Sequence, residues 1–168
     1  MSASAPRRLL VMRHAKAAGS PGIDDEHRPL TGRGRRDAAA AGQWLLTEGV
    51  IPDLVICSSA RRTRQTWQHV SEAFGPGLRT RVAFETRAYY ADESVLLDLV
   101  RDNAGAAAAV LVIGHNPASH RLALALTGRP ELSFPTSAIA VIEIQEEWAA
   151  LAPGDGELAR LWSPPVAS

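Results

Sequence analysis

Apolar residues follow two rhythms along the chain. In "RLLVMRH" (8–14), "PDLVICSS" (52–59) and "AAAVLVIGHNP" (107–117) they run together without polar interruption. Strands buried on both faces of a sheet read this way. "RTRVAFETRAYYAD" (79–92) holds a weaker strand followed by a loop. "SAIAVIEI" (137–144) and "GELARLW" (156–162) read as two final strands, with "PGDG" in the turn between them.

Between the strands lie longer segments with helical spacing. Thr31 is placed to cap "GRGRRDAAAAGQWLLTEGV" (32–50), where Ala39, Trp44, Leu45 and Leu46 give a broad apolar face and Gly49 an end. "ARRTRQTWQHVSEAFG" (60–75) is a second helix, closed by Gly75 and Pro76. "ESVLLDLVRDNA" (93–104) and "ASHRLALALTG" (118–128) are two more, the last stopped by Gly128 and Pro130. "GSPGIDDEHRPLTGRG" (19–34) is rich in Gly, Pro and Asp and reads as a loop.

Strand and helix alternate, which predicts an α/β fold: a three-layer α/β/α sandwich around a mostly parallel sheet of about six strands. The final two strands follow each other without a helix, so an antiparallel strand is expected near the C-terminus. No repeat, low-complexity tract or linker divides the chain. A single domain over 1–168 is expected, with flexible tails at about 1–7 and 163–168.

Composition narrows the function classes. At 168 residues and 46% hydrophobic, the chain can bury a substantial core. Eighteen basic residues balance eighteen acidic ones, which argues against an electrostatic nucleic-acid partner. The one cysteine, Cys57, permits no intramolecular disulfide or multi-cysteine metal site. "MSASAPRRLLVMRH" is no secretory signal, and no stretch approaches the ~20 apolar residues of a membrane span. A cytoplasmic protein without a membrane partner is the expectation. The dispersed Trp44, Trp67, Trp148 and Trp162 read as packing groups and Cys57 as a buried small residue; His69 and His120 read as ordinary surface or semi-buried groups.

Candidate chemistry sits at the strand ends. The first strand ends in Arg13-His14. The second ends in Ser58-Ser59, followed by Arg61, Arg62 and Arg64. The fourth ends in Gly114-His115-Asn116-Pro117. Ligands collect beyond the carboxyl ends of parallel strands in open α/β sheets. If these three are neighbours, one rim carries two histidines, arginines and a helix start, which suits a phosphate dianion. Each feature has a plainer reading as a solvated rim, an exposed helix face or a turn; two of the three arginines should simply face solvent. His14 and His115 could also be metal ligands, but no carboxylate or cysteine stands at ligand spacing near them.

Taken in order, "VMRHAKA", "DDEHRPLTGRGRRDA", "CSSARRTRQTW", "VIGHNP" and "FPTSAIAVIEI" resemble the histidine phosphatase superfamily, also called phosphoglycerate mutase-like. They are most similar to its short SixA type, the phosphohistidine phosphatases, over about Leu9 to Ile144. Ala15 stands where the Arg-His-Gly motif has Gly, Ser59 where Pro is usual, and Thr63 where Ala is usual.

The resemblance implies a metal-independent phosphatase without a cofactor. His14 would be the nucleophile, with Arg13, Arg62 and His115 as the other catalytic residues and Arg28 as a further substrate-binding arginine. Many members place a carboxylic acid just before a Tyr-containing loop; Arg87 occupies that place in "ETRAYYAD", with Glu85, Asp92 and Glu93 nearby. A missing acid suits phosphohistidine, whose imidazole leaves neutral, better than an alkyl phosphate. Short connections leave the pocket open to a phosphorylated protein. The alternatives are a phosphomonoesterase acting on sugar or metabolite phosphates and a non-catalytic phosphate-binding module. His27, beside Arg28, is a further residue that could line the pocket, and the oligomeric state is open.

Overall fold

The computed structural model describes residues 5–19 and 21–166. The tail positions 1–4 and 167–168 lie outside it. In chain order the elements are β1 (Arg7–Arg13), α1 (Gly32–Glu48), β2 (Leu54–Ser58), α2 (Arg61–Glu72), β3 (Arg81–Glu85), α3 (Thr86–Tyr89), α4 (Glu93–Asn103), β4 (Ala109–Gly114), α5 (Ala118–Thr127), β5 (Ile139–Ile144) and β6 (Gly156–Trp162). Single 3-10 turns cover Asp25–His27 and Trp148–Ala150. Arg7, expected in a flexible tail, instead opens β1: its backbone registers with Ile144 and its guanidinium pairs with Glu147 at 2.7 Å.

The six strands form one sheet in the order β3-β2-β4-β1-β5-β6. The first four are mutually parallel. The reversed strand is β5, antiparallel to both β1 and β6. Alternation along the central strands feeds two cores, because successive side chains leave a strand on opposite faces. Leu9, Val11, Ile56, Val110 and Val112 face α4 and α5. Leu10, Met12, Val55, Leu111 and Ile113 face α1 and α2. Both faces being covered explains why these strands read as unbroken apolar runs.

Two expectations are corrected. The buried side of α1 is Ala38, Ala41 and Leu45, whereas Leu46 is 42% exposed. Four consecutive alanines leave the helix phase weakly marked, and packing settles it. Gly42 belongs to this side: a Cβ there would lie 2.3 Å from the Val70 carbonyl oxygen, so its absence sets how closely α1 approaches α2. The segment after β3 is also no plain loop. Residues 86–89 form the short helix α3, anchored by buried Ala88. Four residues are too few for a periodic signal, so only tertiary packing could define it.

The tryptophans pack, as expected. Trp148 is buried with its Nε1–H donating to the Ala107 carbonyl, and Trp44 stacks on Trp162. Among the described residues no helix is long and apolar enough to cross a membrane.

Candidate active site

Sheet register brings the odd strand ends together. Arg13 aligns with Gly114, and Cys57 with Ile113, so the residues that follow leave β1, β4 and β2 side by side. The His14 amide donates to the Gly114 carbonyl at 3.0 Å. Adjacent strands lie roughly 4.8 Å apart, and the His14 and His115 ring centroids lie 5.3 Å apart. The two imidazoles are therefore neighbours because the strands carrying them are neighbours.

The rings share a cleft of about 280 Å³ with Arg13, Lys16, Arg28, Arg62, Asn116 and Thr136. All five site residues expected from the sequence thus line one cavity, built from β1, the loop before α1, α2 and the β4–α5 turn. Of the three arginines after β2, Arg62 points inward and is 6% exposed, while Arg61 and Arg64 face solvent. Arg13 and Arg62 each leave Nε buried without a partner, and His115 does the same with Nδ1. Buried polar groups are normally satisfied; the cleft's lining residues carry these three unpartnered nitrogens and one unpartnered acceptor, Asn116 Oδ1, so their spare capacity is mostly that of donors, which suits an anion.

His14 has a defined tautomer. Its Nδ1 lies 2.7 Å from the Ala15 carbonyl. A carbonyl only accepts, so Nδ1 carries the proton and Nε2 keeps its lone pair. The loop behind it is pinned. Ala15 N–H donates to Thr66 Oγ1, Thr31 N–H donates to the Lys16 carbonyl, and Gly34 lets α1 pass where a Cβ would come 2.1 Å from that same oxygen. Burial, with the nearby His115, Arg62 and Arg13, pushes the His14 imidazole down to about 3. Burial and Arg62 push His115 down to about 4, and its Nε2 shares a 2.7 Å hydrogen bond with Ser58 Oγ.

Asp25, which sequence reasoning missed, holds two of the cleft's arginines. Its Oδ2 accepts from Arg62 Nη2 at 3.0 Å, its backbone carbonyl from Arg62 Nη1 at 2.8 Å, and its Oδ1 from Arg28 Nε at 3.1 Å. The Tyr89 hydroxyl donates to Oδ2 as well. That hydrogen bond, followed by the two arginines, holds the Asp25 carboxyl well below the usual carboxylate range. Asp24, Asp25 and Glu26 are adjacent, and only the three-residue spacing from Asp25 to Arg28 hinted at the choice. Lys16, Asn116 and Thr136 were also missed; they carry no motif of their own.

The other candidates lie elsewhere. Glu85, Arg87, Asp92 and Glu93 do not line the cleft. Asp92 caps α4, accepting from Val95 N–H at 3.0 Å. His27 lines a separate groove and sits 3.7 Å from Asp24. Cys57 is buried, which pushes its thiol up to about 12 and leaves it unreactive. Among the described residues no third His, Cys, Asp or Glu joins the paired histidines as a metal-binding group.

A histidine phosphatase superfamily (branch 1) model matches residues 9–89, the span from β1 through α3. The structure superposes with a TM-score of 0.83 on one from Nakamurella multipartitia, provisionally assigned as the phosphohistidine phosphatase SixA. That protein is 32% identical, with 98% of this chain and 99% of that one covered. The chain belongs to the histidine phosphatase superfamily. Within it, the fold is also similar to the protein histidine phosphatase SixA complexed with tungstate (TM-score 0.79, 26% identity, 93% and 96% covered). An uncharacterised protein of Mycobacterium tuberculosis is 35% identical over 85% of this chain and 93% of its own length. This histidine phosphatase is therefore a hydrolase, of the compact SixA type.

Two consequences follow for the site of this superfamily member. Asp25 holds arginines but opposes an incoming anion. Asp25→Asn should lower kcat by about 10- to 100-fold, within the usual span for misplaced preorganised donors, while KM stays level or falls. Steady-state kinetics separates the two. The second consequence concerns pH. Both rings hold fewer protons folded than unfolded, so stability is present above the ordinary imidazole value of about 6.5 and declines as pH falls toward about 4. A bound dianion favours the protonated His115. Sulfate affinity should rise by up to about tenfold per pH unit as pH falls from about 7 to about 5, measured by titration calorimetry.

Proposed function

We infer that this phosphatase removes the phosphoryl group from phosphohistidine carried on a protein, through a phosphorylated His14. His14 Nε2 attacks phosphorus in line; the P–N bond to the substrate breaks and the substrate imidazole takes the electron pair. Water then attacks the phosphorylated His14, releasing inorganic phosphate and restoring the ring. Arg13, Arg62 and Arg28 neutralise the equatorial oxygens, and His115 donates to one of them. Phosphoryl transfer depends mainly on such alignment and charge neutralisation.

The choice of substrate rests on one observation: among the described residues the cleft is lined by two imidazoles and four cationic side chains but no carboxyl group. An alkoxide needs a proton as it leaves, and a positioned acid typically contributes about 10²- to 10⁴-fold to that step. The nearest carboxyl, Asp25, is held ionised by Tyr89, Arg62 and Arg28 and has no proton to give. An imidazole protonated on its second nitrogen by solvent leaves neutral and needs no such acid. The likeness to SixA proteins described as phosphohistidine phosphatases supports the same reading.

Free phosphohistidine and a simple alkyl phosphate decide the matter. kcat/KM for phosphohistidine should exceed that for the alkyl ester by at least about 100-fold, the share an acid would supply. Equal or faster turnover of the alkyl ester would mean a phosphomonoesterase of small metabolites instead.

A further inference from the structure

A second depression adjoins the cleft and takes no part in the chemistry above. It is a groove of about 580 Å³ lined by Glu26, His27, Ser59, the outward side of α2, the edge of Trp67, and Phe84. Arg61, Arg64, Gln65 and Gln68 recur at one-turn spacing and so form a single stripe along the helix. Phe84 lies on β3, the strand at the edge of the sheet, and is 47% exposed. Arg64 lies over its ring, 4.7 Å from the centroid.

Groove and cleft share a wall. The turn Asp25–His27 turns Asp25 inward onto Arg62 and turns Glu26 and His27 outward into the groove. A chain segment lying in the groove is thus one loop away from the two imidazoles. The charge there is only partly cancelled. Among the described residues neither Arg61 nor Arg64 has a carboxylate within ion-pairing distance, and Glu26 is the one acid among the lining residues. A cation resting on an aromatic face keeps its charge available to a ligand.

We propose that this groove docks an acidic segment of the phosphoprotein whose phosphohistidine enters the adjoining cleft, with Arg61 and Arg64 pairing its carboxylates and Phe84 packing against its apolar stems. The proposal rests on the substrate reading above and adds what selects the partner. A protein segment fits better than a nucleic acid. The chain is electrically balanced overall, and Phe84, the one well-exposed aromatic ring lining the groove among the described residues, provides no track for successive bases.

The test uses a glutamate-rich histidine peptide, its lysine-rich counterpart and free phosphohistidine. Fluorescence anisotropy reads binding of the two unphosphorylated peptides, and kinetics reads turnover of their phosphorylated forms. The glutamate peptide binds more tightly than the lysine peptide, and added salt removes the difference. The double variant Arg61→Glu/Arg64→Glu weakens that binding and raises KM for the phosphorylated glutamate peptide by about tenfold, the sum of two exposed charge reversals. Its kcat on that peptide and its kcat/KM on free phosphohistidine stay within about twofold of the parent. Phe84→Ala raises the same KM by a smaller factor. Equal binding of the two peptides, an unchanged KM in the double variant, or tighter binding of a single-stranded oligonucleotide than of the glutamate peptide would overturn the docking proposal. A failure to hydrolyse free phosphohistidine and both phosphorylated peptides would overturn the substrate reading and leave the anisotropy result standing.

Discussion

His14→Ala should remove turnover, with kcat falling by about 10⁴- to 10⁶-fold, the usual cost of deleting an attacking group. The size follows from the division of labour in the cleft. In the proposed mechanism the arginines and His115 hold the phosphoryl group, and the lone pair on Nε2 of His14 attacks it. Its availability is doubly assured, since Nδ1–H is committed to the Ala15 carbonyl and burial keeps the ring unprotonated. The variant retains Arg13, Arg28, Arg62 and His115 and should still bind sulfate within a few fold of the parent. Incubation of the parent with radiolabelled phosphohistidine, quenched in alkali, should leave acid-labile label on the protein; His14→Ala should carry none. Label on the variant would transfer the role to another nucleophile, and full activity without label would mean direct attack by water.

Arg62→Ala is expected to lower kcat/KM by at least about 10²- to 10³-fold. Arg62 lines the cleft from α2 and is almost wholly buried, with its Nε left without a partner. Deleting it does more than remove a donor, because Asp25 loses a cation that offsets its charge and faces the incoming dianion. Arg62→Lys should recover little, since an ammonium cannot hold Asp25 through two nitrogens while keeping a third for the anion. A second substitution exposes the coupling. Asp25→Asn, which lowers kcat in the parent, should leave activity unchanged or raise it in the Arg62→Ala background, because a bare repelling charge is then all that it removes. Losses that simply multiplied would mean that Asp25 acts independently of Arg62. Far-ultraviolet circular dichroism checks that each variant is folded.

Much of this site could be read from the chain alone. Three apolar runs end abruptly in Arg13-His14, Ser58-Ser59 and Gly114-His115, and unbroken apolar runs mark strands buried on both faces. That combination is local, so it survives in the linear order of residues. So does Thr31 as a cap: its hydroxyl accepts from Gly34 N–H at 2.9 Å. Helix phase alone left the choice among Arg61, Arg62 and Arg64 as a proportion, because at a first turn it depends on what the helix leans against; the family resemblance singled out Arg62.

What the sequence by itself determined, then, is the six strands and the four longer helices, the rim on which ligands gather and the residue types available there. Tertiary structure alone decided that β1 lies between β4 and β5, which sets two imidazoles 5.3 Å apart. It also decided that Asp25, rather than Asp24 or Glu26, turns in to hold Arg62, and that the outer side of the same turn borders a basic groove. The reason is the range of the forces involved. Apolar periodicity and capping act over a few neighbouring residues and leave a trace in the sequence. The Asp25–Arg62 ion pair and the burial of that guanidinium join groups dozens of positions apart, and no local pattern records which of them meet.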